Sequence, residues 1–347
     1  MRVTTDTSSA RHPRCLEIPQ SVKDSLRVLF LAKHALSDGT PDAEDGTHAT
    51  YHRELLDTLE EIGLRVTPAN SFDALTGALD VDFIVSLLNR AGFRNSEMLA
   101  PLLAESKDLP YLGGSPIVRG LTDDKHLLKH VVANLGLTTP EWKHYALGGL
   151  AITPPAFDWN SLIIKPNASS ASWGIHVTSS WAIAERHITQ LHQEGHDVIV
   201  ERYIDGTDLA APVIAARGGP WYFPVIRYDG DSGPIRTYEQ KRDLVPSSTK
   251  HVLLTEGALS DEVLAMSQRI VEEVWPFDHG RLEYRVDSAT GEVHFIEMNI
   301  NCNLWSRKTI ASVGRQIGVS HRELIETILC ASLERQGLIP ASAVQAA

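Results

Sequence analysis

The chain predicts an α/β protein of two or three domains, with a mainly parallel sheet at its N-terminal end and an α+β region in its C-terminal part. Three observations carry that prediction. At 347 residues it exceeds what one hydrophobic core ordinarily organises. In its first half, short continuous apolar runs alternate with segments of helical periodicity, the order expected of parallel strands with crossing helices. From Thr207 onward the pattern becomes rich in strands.

The elements follow in order. Residues 1–25 hold Thr, Ser, Arg and Pro without periodicity and are expected to form a flexible arm. "LRVLFLA" (Leu26–Ala32) is a continuous apolar run of the kind that makes a buried parallel strand. Lys33 to Tyr51 is expected to be a long polar loop, and "HRELLDTLEEIG" after it has leucines at helical spacing and a glycine stop. "LRVTPA" and "VDFIVSLL" read as strands, and a helix over Ser96–Glu105 precedes "LPYLGGSP", whose glycines and proline mark a turn or boundary. "TDDKHLLKHVVANLGL" reads as a helix with Thr122 as N-cap and Gly136 as stop. "SLIIKPN" and "HDVIVERYI" read as strands separated by a serine-rich loop and a helix. Strands "LAAPVIAA" and "WYFPVIRY", a charged loop at 236–250, the helix "SDEVLAMSQRIVEEVW", a hairpin and the helix "SHRELIETILCASLERQG" complete the chain.

Composition excludes several functions. A net charge of -12 argues against a general binder of nucleic acid or anionic membrane, because attraction to phosphate needs a basic field. No apolar run approaches the roughly 20 residues that span a bilayer, and residues 1–25 lack the apolar core of a signal peptide, so a cytoplasmic protein is expected. Cys15, Cys302 and Cys330 are odd in number and unrelated in spacing, which predicts reduced thiols rather than a disulfide framework or zinc site.

Three segments carry candidate chemistry. In the hairpin "GRLEYRVDSATGEVHFIEMNINCN" (Gly280–Asn303), a five-residue loop over Ser288–Glu292 places Glu283 opposite Glu297 with Asn299 on the same face; a four-residue loop turns Glu283 to the other face. Opposed carboxylates repel, so a cation belongs between them, either Mg²⁺ on an all-oxygen set or, on a solvated strand face, Arg281 or Arg285 pairing with Glu283. In "LIIKPNASSASWGIHV", Lys165 ends a buried apolar strand, where an ammonium needs an anion, and the small-residue loop through Gly174 can aim N–H groups at phosphate oxygens. The loop lacks the signature G-x-x-x-x-G-K-[ST] of P-loop proteins. In "VIVERYIDGTDLA", Glu201 closes a strand and Asp208 lies seven residues beyond it, acceptors suited to an adenine amino group and ribose hydroxyls.

Taken together, the order of these segments resembles the ATP-grasp superfamily, and most closely the D-alanine:D-alanine ligase group of carboxylate-amine ligases, over roughly Leu26 to Ile328. The resemblance implies an ATP-grasp fold with an N-terminal parallel-sheet domain, divided as an arm at 1–25, an N-terminal substrate domain at 26–115, a central ATP-grasp subdomain at 116–203 and a C-terminal catalytic domain at 204–347. It implies ATP and one or two Mg²⁺ ions, with Mn²⁺ as a substitute, and small carboxylate and amine substrates, amino acids among them. It also implies a homodimer through the N-terminal domain. By the same resemblance Lys125 and Lys165 are ATP-phosphate lysines, and Ser172 and Gly174 lie in the loop that covers the phosphates. Glu201 contacts adenine, Tyr203 and Ile204 line its pocket, and Asp208 stands at the ribose. Lys241 in "TYEQKR" reaches the γ-phosphate, Arg281 sits near the reacting carboxylate, and Glu283, Glu297 and Asn299 are the metal ligands. The catalytic set is thus Arg281, Lys241 and Ser172.

The departures from that group fall on substrate recognition. Asn301, Cys302 and Asn303 replace the usual small-residue, proline and glycine turn; Arg242 replaces a tyrosine and Ala171 a serine; and Lys33 to Tyr51 shows no counterpart of the short acidic motif that recognises the first D-alanine. His48, Arg242, Asn301 and Asn303 are therefore the candidate substrate contacts, and D-alanine is not the favoured substrate. The expected reaction is ATP-dependent amide or dipeptide formation through an acyl phosphate, releasing ADP and phosphate. An ester-forming ligase of the same fold and a non-catalytic ATP-binding regulatory protein are the alternatives. His126 and His130, at i and i+4, lack the glutamate of a zinc-protease helix and are read as structural or solvated; Cys302 is read as lining the pocket.

Overall fold

A computed structural model describes residues 12–41, 44–77, 79–88, 96–149, 151–169, 172–229, 249–340 and 345–346. In chain order its regular elements begin with β1 (Leu16–Glu17), α1 (Gln20–Ser25), β2 (Arg27–Leu31), α2 (His48–Ile62), β3 (Arg65–Ala69), β4 (Phe83–Ser86), α3 (Leu99–Glu105), α4 (Pro116–Asp123) and α5 (Lys125–Asn134). There follow β5 (Trp142–Tyr145), β6 (Leu162–Pro166), β7 (His176–Thr178), α6 (Trp181–Gln193), β8 (Val198–Arg202), β9 (Gly206–Ala216), β10 (Gly219–Tyr222), β11 (Val225–Asp229) and β12 (Lys250–Leu254). The chain closes with α7 (Ala258–Val274), β13 (His279–Asp287), β14 (Val293–Ile300), α8 (Thr309–Gln316), α9 (His321–Arg335) and β15 (Gln345–Ala346).

Three sheets and the antiparallel pair β1-β15 organise these elements. β2 lies between β3 and β4 and is parallel to both. Its Val28–Leu31 run is buried because helices or loops cover both faces, which explains an apolar run without alternation. Pro68 is tolerated in β3 because that strand is an edge. The central sheet runs β5-β8-β6-β7 and is antiparallel, with α6 packed on it around Ile188 and Leu191. The largest sheet runs β12-β11-β9-β13-β14 with β10 on β9, and α7 covers one face through Val263, Ile270 and Val274. Its other face shares a core with β2, α2 and α9, uniting Phe30 and Leu55 with Ile214, Phe223 and Leu329.

Two expectations about local structure are corrected. From Cys15 on, the segment expected to be a flexible arm is packed: Cys15, Leu16 and Ile18 are buried, and the Leu16 and Ile18 N–H groups donate to Thr327 and Glu326 of α9. Alternation of apolar residues over only four positions was too short to register as a pattern, yet it is enough to dock on a helix. Thr122 caps no helix; it lies in the last turn of α4 and donates its hydroxyl to the Val118 carbonyl, while Asp124 caps α5 by accepting the Leu127 N–H. Pro116 at the start of α4 and Asp124 at the start of α5 make two short helices where one was expected.

Candidate functional site

The hairpin sets the geometry. Glu283 pairs directly with Glu297, and Arg281 with Asn299. The route to this register differs from the one expected. Val286 pairs with Val293, and the Asp287 N–H donates to the Glu292 carbonyl, so the loop is the four residues Ser288–Gly291. A bulge then inserts Ile296 into β14, between the Tyr284–Phe295 and Glu283–Glu297 pairs. That extra residue restores what the shorter loop would have reversed. Phe295 and Met298 both remain in the core, and Glu297 and Asn299 share the opposite face with Arg281, Glu283 and Arg285.

Cations balance both acids. The Arg281 guanidinium binds Glu283 through Nε at 2.9 Å and through Nη2. Lys125 Nζ lies 3.3 Å from Glu297 Oε2 and donates to the Ser169 carbonyl at 3.2 Å. Asn299 Nδ2 donates to Glu297 Oε1 at 3.2 Å. The donor chemistry fits Mg²⁺: two carboxylates and an amide oxygen are hard oxygen ligands, and the two acid side chains retain 16% and 22% exposure, so an ion can reach them. Among the described residues no group of three or more His, Cys, Asp and Glu side chains is placed to hold a metal; here the acid pair is completed by an amide.

The central sheet carries the other candidate charges. Asn167 joins it to the start of α5: its carbonyl accepts the Lys125 N–H at 3.2 Å, and its Oδ1 accepts the His126 N–H at 2.9 Å. The start of α5, with Lys125, is thereby tied to the end of β6, the strand that carries Lys165. Lys165 Nζ lies 2.9 Å from Glu201 Oε2, and Lys129 Nζ, which no motif singled out, lies 3.6 Å from the same oxygen. Glu201 Oε1 is buried without a hydrogen-bond partner, an acceptor of the kind an adenine amino group satisfies. Ile204 is buried, and Asp208 Oδ1 accepts from Arg285 Nη1 at 2.7 Å. Arg285 also donates to the Tyr203 hydroxyl and lies over its ring.

The small-residue loop after β6 is described on either side of 170–171. Ser172 adopts φ 59° and Gly174 φ 68°, and a Cβ at Gly174 would lie 2.9 Å from Pro166 Cγ, so this turn has room only for glycine. His187 Nε2 donates to the Gly174 carbonyl at 3.0 Å. Lys241, Arg242 and Ala171 lie outside the described residues.

The turn after β14 is anchored from α2. Tyr51 and Glu54, on the face of α2, reach the turn after β14: the Tyr51 hydroxyl accepts the Leu304 N–H at 3.1 Å, and Glu54 accepts from Trp305 Nε1 at 2.9 Å and the Ser306 N–H at 3.0 Å. The end of the segment expected to be loop is therefore helical, because α2 starts at His48. The His48 ring lies 6.4 Å from Tyr51 and 5.8 Å from His52. Asn301 has φ 53°, and its amide is turned to Leu112 and Gly113. Asn303 Oδ1 accepts the Trp305 N–H at 2.8 Å, which shapes the turn. Burial pushes the Cys302 thiol up to about 11, with Arg281 opposing and Glu283 adding to the shift.

Sequence reasoning missed Lys129, Tyr51, Glu54 and Asn167. Lys129 follows Lys125 by one helical turn, the same i,i+4 spacing that drew attention to His126 and His130. Those histidines form an aromatic cluster: His126 accepts the Trp142 indole N–H at 2.9 Å and stacks on His144 at 4.4 Å.

A cleft between a small antiparallel sheet carrying one lysine and a larger sheet carrying paired acids, with a second lysine at their junction, is the architecture of an ATP-grasp ligase, an enzyme that forms a carbon-nitrogen bond. A family model described as D-ala D-ala ligase C-terminus matches residues 156–330, half of the chain, and the chain belongs to that family. A D-alanine–D-alanine ligase of Aquifex aeolicus is 22% identical over 229 residues, 65% of this chain and 75% of the relative. One of Xanthomonas axonopodis pv. citri is 22% identical over 282 residues, 79% and 86% of the two chains. The D-alanine–D-alanine ligase of Bacillus anthracis complexed with ATP superposes with a TM-score of 0.71 at 18% identity, over 90% of this chain and 99% of that one. The VanG D-Ala:D-Ser ligase of Enterococcus faecalis superposes at 0.67 with 13% identity, over 88% and 99%. Among the described residues no helix is long and apolar enough to cross a membrane.

Proposed function

We propose that the protein uses ATP to activate a small carboxylic acid as an acyl phosphate and joins it to an amine, releasing ADP and phosphate, with substrates other than D-alanine. The observation that carries this reading is the direct opposition of Glu283 and Glu297, with Lys125 3.3 Å from Glu297. Each acid meets a cation of the protein, Glu283 with Arg281 and Glu297 with Lys125, and the face they share still offers two carboxylates and an amide oxygen, the hard donor set that suits the cation of an anionic nucleotide.

In the first step a carboxylate oxygen attacks the γ-phosphorus, and the bond to ADP breaks. Glu283, Glu297 and Asn299 would hold Mg²⁺, which supplies neutralisation of phosphate charge. Lys125 and Lys165 hold the phosphates, with Lys241 as the third lysine. Glu201 Oε1 and Ile204 receive the adenine, and Asp208 the ribose. Arg281 orients the substrate carboxylate and then faces the oxyanion formed when the amine nitrogen, having lost its proton, attacks the carbonyl carbon. The phosphate leaves and the amide remains. Ser172 and Gly174 lie in the loop that excludes water from the acyl phosphate. Lys33–Tyr51 shows no counterpart of the short acidic motif of the D-alanine enzymes, and His34 and His48 from it cluster with His52 beside Tyr51, which supports a different first substrate.

A phosphate-release screen over carboxylate and amine pairs, followed by mass measurement of the product, tests this. At least one pair should yield ADP and an amide, and Lys165→Ala should abolish the signal. Equal turnover in that variant, or a product lacking a new C–N bond, would overturn the reading.

A further inference from the structure

We propose that Lys129 is a positioning residue of the nucleotide site: it binds the carboxylate of Glu201 so that Lys165 is left with charge to offer to a phosphate. The inference rests on the reading of Lys165 and Glu201 as nucleotide contacts. It begins from the charge of a buried trio. Lys129, Lys165 and Glu201 are 0%, 3% and 1% exposed, and both ammonium groups address the same oxygen, Glu201 Oε2, at 3.6 and 2.9 Å. One carboxylate between two ammonium groups leaves an excess positive charge inside the protein. Such an excess is costly until an anion meets it. A Lys165–Glu201 pair alone would be neutral, and Lys165 would be committed to Glu201.

Lys129 is itself built into place. Its Nζ donates to Thr139 Oγ1 at 2.6 Å and to the Pro140 carbonyl at 3.2 Å, and it lies 5.4 Å from the centre of the Trp142 ring. These partners fix the ammonium where it cannot turn to a ligand, so it acts through Glu201. Burial, countered by Glu201 and reinforced by the charge of Lys165, lowers Lys129 to about 8. The other titratable groups facing this region are His294 on β14 and, on its own helix, Lys125, His126 and His130.

The test measures Mg-ATP affinity by equilibrium dialysis, with melting temperature, from pH 7 to 9 for the wild type, Lys129→Met and Lys129→Arg. The wild type should bind ATP more weakly as Lys129 loses its proton above about 8. Lys129→Met should bind about 10- to 100-fold more weakly at pH 7, with little change across the range. Lys129→Arg should remain close to wild type at pH 7 and stay flat. Stability should move the other way: the unfolded lysine, at its usual 10.5, binds more protons than the folded one, so wild-type stability rises with pH above about 8. A merely structural lysine would change melting without this opposed change in affinity. If Lys129→Met melts cooperatively and binds ATP as the wild type does, or if wild-type affinity is flat to pH 9, the proposal is wrong. If Lys129→Met does not fold, the wild-type and Lys129→Arg profiles decide. Failure of the wild type to bind ATP at any pH would instead remove the nucleotide reading, and this proposal with it.

Discussion

The clustered charges and the turn after β14 are held differently. In the site proposed for the nucleotide, Lys165, Glu201, Glu283 and Glu297 stand on strands and Lys125 on the first turn of a helix, so hydrogen-bonded backbone holds each charge. In the region proposed for the acceptor, the turn from Asn301 to Ser306 is held by side chains from elsewhere: Tyr51 and Glu54 from α2 and His321 from α9. Regular backbone conserves distances between charges, which a shared nucleotide requires. A turn held by a few side chains can be reshaped without disturbing the sheets.

Substitutions in the two regions should therefore fail differently. The largest effect is expected of Glu297→Gln, which removes a carboxylate facing Lys125 and Glu283: turnover should fall about 100-fold or more while circular dichroism and melting stay near wild type. Preserved turnover would detach the paired acids from the chemistry. Glu54→Ala comes next, because it strips the Trp305 indole and Ser306 N–H groups of their acceptor. It should cost about 1–3 kcal/mol of stability and raise the Michaelis constant for the acceptor, with ATP affinity unchanged. A matching loss of ATP affinity would show that the two regions are not separable. The smallest effect is expected of Cys302→Ala: turnover within about twofold of wild type, because the thiol lies at about 11 and is no nucleophile at neutral pH. Iodoacetamide labelling of Cys302 should accordingly be slow at pH 7 and accelerate as pH rises toward 11; rapid labelling at pH 7 would contradict the burial that raises it.

The same contrast governs what could be read in advance. Glu283 and Glu297 were legible as an opposed pair, but the loop thought to oppose them was one residue too long. A four-residue loop and a bulge at Ile296 reach the same pairing, and no local pattern announces a bulge, since its stability comes from packing Phe295 and Met298 into one core. Lys129 looked like one more charge on an amphipathic helix, because its partner Glu201 is distant in sequence and only the approach of α5 to the central sheet joins them. The Cys15–Ile18 segment looked unstructured because the surface that buries it belongs to α9, at the far end of the chain.

Sequence alone determined the alternation of strands and helices, the acids and lysines at strand ends and their order along the chain, because those follow from local periodicity and from the cost of charge beside apolar runs. Tertiary structure decided which charges meet: two lysines on Glu201, one on Glu297, and α2 against the turn after β14. Such contacts form between segments whose local patterns are independent, so only the packing of the sheets and of the helices on them fixes them.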